Sequence, residues 1–149
     1  MAQTYFGSAL RAGSGTLTDT TDGGFVVLMQ TSTVTTNADG TASSTSVTIP
    51  SGSQIINIFI DQTQNEVVGG GTATAINATV GTAAAGTQYL SATDVIGGGR
   101  AALTFTAAQL AAMADVGSNT GVYLTVDPNG TISTTQGIYR FTVVYAQKG

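Results

Sequence analysis

Ser46–Thr63 reads SVTIPSGSQIINIFIDQT. Five isoleucines and one phenylalanine are broken by a single turn, Pro50-Ser51-Gly52, and no residue with catalytic character follows. Before the turn, apolar and hydroxyl residues alternate with the period of two that a half-buried strand requires. After it, Ile56, Ile58 and Ile60 share one face of an extended chain, and Ile55, Asn57, Phe59 and Asp61 share the other. The first face is expected to fill a core. Ile55 and Phe59 form an apolar pair on the second face, which predicts cover from another sheet, a loop or another subunit.

Strand signals continue on both sides of this hairpin. Phe25–Thr35, FVVLMQTSTVT, is rich in β-branched and apolar residues and runs into the turn sequence TNADGT. Gly69–Gly71 and Gly97–Gly99 bracket a strand expected from about Thr72 to Val80. Neither glycine triplet is followed by the lysine and helix start that a phosphate loop needs, so both read as loops. One helix is predicted within LTFTAAQLAAMADVGS: Thr106 is the N-cap, Gln109 completes a capping box, and Gly117 marks the stop. Leu110 and Met113 mark the side that would cover a core. GVYLTV and IYRFTVVY, joined through Pro128 and Gly130, are the closing strands, and Tyr139, Phe141, Val143 and Tyr145 line one face of the last.

This pattern predicts an all-β protein: an antiparallel β-sandwich or jelly-roll-like domain over residues 25–149, with one short helix. Residues 1–24 carry five glycines among Thr and Ser, with few apolar anchors, and read as an extended N-terminal arm. No fixed-period repeat is present.

At 149 residues the chain suits one domain able to bury roughly two thirds of the surface its unfolded form exposes. It has no Cys and no His, which removes disulfides and the usual ligands of structural zinc. Its opening residues lack a basic segment followed by an apolar run, and no stretch approaches a membrane span, so a membrane is not an expected partner. Arg11, Arg100, Arg140 and Lys148 lie far apart against eight acidic residues, a net charge of -4, whereas phosphate backbones are bound by clustered cations. Nucleic acid is not an expected partner either. Charged residues make up only 8% of the chain, far below an ordinary soluble surface, so much of the exterior must be hydroxyl and amide groups or be covered by a partner.

Enzyme chemistry finds little purchase. A Ser or Thr nucleophile needs a neighbouring base, normally His. Asp19 with Asp22, and Asp61 with Glu66, are close enough in sequence to suggest paired carboxylates, but read more simply as solvated loop acids. DTTDGG and NADG offer oxygens to calcium without the alternating ligand pattern that ends in Glu. No catalytic residue, metal or cofactor is expected. Thr-rich segments such as TSTVTT lack the repeated short motif of an ice-binding ladder.

VTIPSGSQIINIFIDQT, INATVGTAAAGTQYLSATDV and GVYLTVDPNGTISTTQGIYRFTVVY together cover most of the chain after the arm. In style they resemble the small β-sandwich structural proteins of tailed bacteriophage particles, head decoration or cement proteins in particular. Shared features are a strand, a Pro-Gly turn, a strongly apolar strand, a Gly-Thr segment leading to a Tyr-Leu pair, and a Tyr-containing last strand. The resemblance implies a virion protein made in the host cytoplasm that binds the major capsid protein at subunit junctions on the outer capsid surface as a homo-oligomer, a trimer. Tyr5, Phe6, Leu10 and Arg11 of the arm, with Ile55 and Phe59 of the sheet, are the interface residues expected on this reading. A tail or fibre component, and a cell-surface adhesion or carbohydrate-binding module, are the alternatives.

Overall fold

The structure, a computed structural model, describes residues 26–67, 70–132 and 134–147. The expected arm, with Tyr5, Phe6, Leu10 and Arg11, lies outside the described residues. Eight strands and one helix follow in the order β1 (Val26–Thr35), β2 (Ser43–Thr48), β3 (Gln54–Gln64), β4 (Ile76–Gly81), β5 (Leu90–Asp94), β6 (Gly99–Arg100), α1 (Ala107–Ala114), β7 (Gly121–Pro128) and β8 (Ile138–Gln147). They form two four-stranded sheets, β1-β8-β3-β6 and β2-β7-β4-β5, with every neighbouring pair antiparallel.

Strand numbers reveal how the chain is wound. β1 pairs with β8, β2 with β7, β3 with β6 and β4 with β5, so the chain is one long hairpin folded back at β4–β5 and then rolled. The β8·β3 and β7·β4 pairings complete the two sheets. This is jelly-roll winding, which decides between the two architectures that the strand pattern left open.

Alternation places the core between the sheets. Tyr139, Phe141, Val143 and Tyr145 of β8 face Val122, Leu124 and Val126 of β7 and Ile76, Ala78 and Val80 of β4, all essentially without solvent contact. Each large apolar side chain removed from water contributes about 1.5–3 kcal/mol before conformational entropy is counted. Tyr89 and Leu90 are buried with them.

The outer faces differ. Over the second sheet folds the β4–β5 loop, where Ala85, held at φ 59°, donates its N–H to the hydroxyl of Thr125, which also bonds Ser44 at 2.8 Å. The outer face of the first sheet carries no such cover among the described residues.

β3 departs from regular pairing with β8 at two points, between Ile55 and Asn57 and between Gln62 and Gln64, and the first reverses two expected positions. Ile55 lies opposite Tyr145 and Asn57 opposite Val144, so Ile56 is an extra residue in a β-bulge. The bulge turns Ile55 inward, 3% exposed, and leaves Ile56 outside at 48%. Ile55 was expected on the free face and Ile56 in the core; both are reversed, because two residues of β3 answer one of β8. Beyond the bulge Ile58 and Ile60 are buried as expected.

The helix begins as predicted: the Thr106 hydroxyl accepts from Gln109 N–H at 3.2 Å and Gln109 Oε1 accepts from Thr106 N–H at 2.8 Å. Its buried side is Gln109 and Met113, one turn apart, whereas Leu110 is exposed. The Gln109 amide also donates to Ser91 Oγ at 2.9 Å, which holds that face of the helix against β5. Leu110 therefore does not share the covering role expected of it. Gly97, Gly98 and Gly99 all have positive φ, between 77° and 114°, a path open to few side chains, and lead straight into the short edge strand β6.

Because of the bulge, truncation distinguishes neighbours. Ile55→Ala and Ile58→Ala should each lower unfolding free energy by about 2–5 kcal/mol in denaturant titrations, and Ile56→Ala by about 0.5 kcal/mol or less.

Candidate protein-binding surface

The outer face of the first sheet is built in rows by the strand register. Val27 of β1 lies beside Ala146 of β8 and Gln54 of β3, and Met29 lies beside Val144 and Asn57. Val27 is 59% exposed and Met29 71%, the largest exposures among the large apolar side chains described. Bulged Ile56 sits on β3 between the same two rows, and Val144 is half-buried between the strands. At this end, three adjacent strands thus present Val27, Met29, Val144 and Ile56 together. Isolated exposed apolar residues are ordinary, whereas a cluster across neighbouring strands makes this face a candidate contact surface.

The next row is Thr31, Thr142 and Phe59, with the two threonine hydroxyls 3.0 Å apart. Phe59, expected at the interface, is on this face and half-buried. The Arg100 guanidinium lies over its ring, 4.4 Å from the centroid, an attractive cation–π geometry.

Beyond it comes a charged row. Arg140 of β8, Asp61 of β3 and Arg100 of β6 are directly opposite one another across three strands. Asp61 Oδ1 accepts from Arg100 Nε at 2.7 Å, and Oδ2 accepts from Arg100 Nη2 at 3.3 Å and Arg140 Nη2 at 3.1 Å. The hydrogen bonds from Arg100, reinforced by Arg140, hold the Asp61 carboxyl below its ordinary pKa despite its burial. Both guanidinium groups remain about half exposed, so the row offers a net positive charge beside an apolar patch.

Behind this row the interior is polar at one point. Gln62 donates its amide to the Tyr139 hydroxyl at 3.0 Å and to Glu66, and accepts from Gly98 N–H. The Tyr139 hydroxyl donates to Glu66 Oε2 at 3.1 Å. Burial, and then the Glu66 charge, push the Tyr139 phenol far above its usual pKa and keep it protonated. This network ties the glycine loop before β6 to the core: both carboxylates near the site, Asp61 and Glu66, are engaged in holding strands together. Among the described residues no three acidic side chains approach one another as metal ligands would.

Val27 and Met29 were not singled out from the sequence. Their signal was the strand period: Leu28, Gln30 and Ser32 alternate with them, and the odd-numbered residues of β1 all face outward. Which face would be left uncovered was not visible until the sheets were paired.

No known protein family model, no curated protein and no solved structure matches this chain.

The Asp61 cluster has a pH signature. Its folded pKa is depressed, so its contribution to stability is present above the unfolded value of about 3.9 and is lost as pH falls through the lower folded value. Asp61→Asn should be less stable than the natural chain by about 0.5–1 kcal/mol at neutral pH. Denaturant titrations should show that gap closing as pH falls below about 4.

Proposed function

We propose that this protein is a structural subunit of a bacteriophage virion, a decoration or cement protein that binds the outer capsid surface and bridges major capsid subunits. The observation that carries the reading is the open outer face of the first sheet, where Val27, Met29 and Ile56 are exposed together beside Arg100 and Arg140. A sandwich whose described residues cover the outer face of one sheet and leave that of the other open is suited to lie flat on a larger protein surface. The apolar end supplies area removed from water and the arginines supply orientation on an acidic partner. The jelly-roll frame and the phage-like style of strands β2–β3 and β7–β8 support the same reading. Nothing in the surface requires bond-making chemistry: the engaged positions of Asp61 and Glu66 favour binding over catalysis.

In this role copies occupy the capsid where subunits meet, as trimers matching local threefold symmetry, and an interface of about 1,600 Å² per complex is sufficient. Tyr5, Phe6, Leu10 and Arg11 dock on a neighbouring capsid subunit, while the sheet face supplies the main contact through Ile56 and Phe59. Localisation follows from the role: synthesis in the host cytoplasm, then the virion surface.

Binding to phage heads assembled without this protein tests the proposal. The natural chain should saturate them at many copies per head, and both Ile56→Lys and the paired change Tyr5→Ser with Phe6→Ser should lower occupancy at a fixed concentration by about tenfold or more, equivalent to about 1.4 kcal/mol. Absence of binding by the natural chain, or occupancy untouched by either change, would reject it. A few copies confined to one vertex would point to a tail or fibre component instead.

A further inference from the structure

We propose that the narrow side of the jelly roll formed by β1 and β2 is the surface through which this protein associates with a second copy of itself. This deepens the oligomer part of the proposed function by assigning its surface, and it stands or falls without any capsid.

Both strands are sheet edges. Among the described residues β1 pairs only with β8 and β2 only with β7, so alternate backbone N–H and C=O groups of each point out of the sandwich. The Gln30 side chain, on β1, donates to the Thr48 carbonyl of β2 at 2.5 Å and so ties the two edges into one surface.

Edge strands invite pairing with other chains, and proteins that remain single blunt them with charge, proline, bulges or short length. β1, VVLMQTSTVT, and β2, SSTSVT, contain no charged residue and no proline. β1 pairs with β8 over all ten of its residues without a register shift, so it is long and unbulged. The opposite narrow side has three of these protections: short length, a bulge and charge. β6 is two residues long and follows three glycines of positive φ, β5 is paired across a register shift, and Asp94 and Arg100 stand on the two edges. One side of this sandwich is defended against pairing and the other is not.

Charge selects the same side. A chain of net charge -4 repels its own copies unless they meet on neutral ground. From residue 26 to residue 60 the one charged residue is Asp39, and its carboxylate is occupied in its own turn by Thr41 N–H at 3.0 Å and the Thr41 hydroxyl at 2.7 Å. Two copies meeting here therefore juxtapose no like charges along the strands.

The dimensions also fit a second folded copy. Ten residues of β1 extend about 34 Å, and two sheets about 10 Å apart with their side chains are roughly 20 Å deep. That gives on the order of 700 Å², close to the roughly 800 Å² per partner of a standard interface. Exposed Val27 and Met29 border this side and add apolar area to it.

Sedimentation velocity on the full chain, over about a hundredfold range of concentration, tests the assignment together with backbone hydrogen exchange. The natural chain should sediment as an assembly of two or more copies at the upper end, and the outward amides of β1 should exchange more slowly as the assembly fills. Thr33→Lys with Ser46→Lys, both at exposed positions of the two edges, should weaken association by about tenfold or more, although the added lysines bring net charge nearer zero. Ala92→Lys with Ala102→Lys, exposed on the opposite side, should leave it unchanged. A monomer at every concentration overturns the proposal. If that monomer also shows slow β1 exchange, another segment of the same chain occupies the edge. Association that survives the β1–β2 lysines, with the exchange pattern of β1 unaltered by concentration, overturns it equally.

Discussion

The position of β8 between β1 and β3 is the constraint on which the rest of the structure depends. Its inward row of Tyr139, Phe141, Val143 and Tyr145 spans the core, and its backbone joins the first described strand to the most apolar one. Without β8 the first sheet has no centre, and the apolar residues of β1 and β3 have no common wall. The pairing joins residues more than a hundred positions apart, as in Leu28 opposite Tyr145, so much chain entropy is lost before the contact forms. Jelly-roll winding makes this the rule for this chain: only the β4–β5 reversal closes a short loop, and each further pair encloses the one before. Such non-local topology places the protein among slow-folding domains.

A second consequence of the winding is that the two outer faces have different fates. Connections at the β4–β5 end fold over the second sheet, and Thr125 is buried there by bonds to Ser44 and Ala85. Capped helix α1 inserts Met113 into the core and holds Gln109 against Ser91. Among the described residues the first sheet receives no comparable element, and its outward side chains form an open face. Their order along the strands sorts them by chemistry, from apolar Val27 and Met29 through the threonine pair to the Arg140–Asp61–Arg100 row. A partner meeting this face would find area at one end and charge at the other, a combination that fixes orientation as well as affinity.

The bulge at Ile56 shows how small a change in pairing alters a surface. One unmatched residue in β3 exchanges the roles of two adjacent isoleucines: Ile55 packs on the core and Ile56 becomes part of the open face. Alternation read from the strand alone puts these two the other way round, because the period of two assumes that every residue has one partner. The signal that β3 would contain a bulge was not in its own residues. It lay in the fit between β3 and β8, where Tyr145 takes Ile55 as its partner.

Local chemistry determined much of this protein before any tertiary contact was considered. Strand periodicity around Pro50, the inward row of β8, the capping box at Thr106 and the low charge were all legible, because each depends on residues a few positions apart. They sufficed for an all-β sandwich with one short helix. Tertiary structure alone decided the jelly-roll order, the bulge that exposes Ile56, the burial of Gln109 in place of Leu110, and the meeting of Asp61 with two arginines from different strands. These rest on register and on which sheet receives which loop, quantities set by packing between segments distant in sequence, and for that reason no short stretch of the chain contains them.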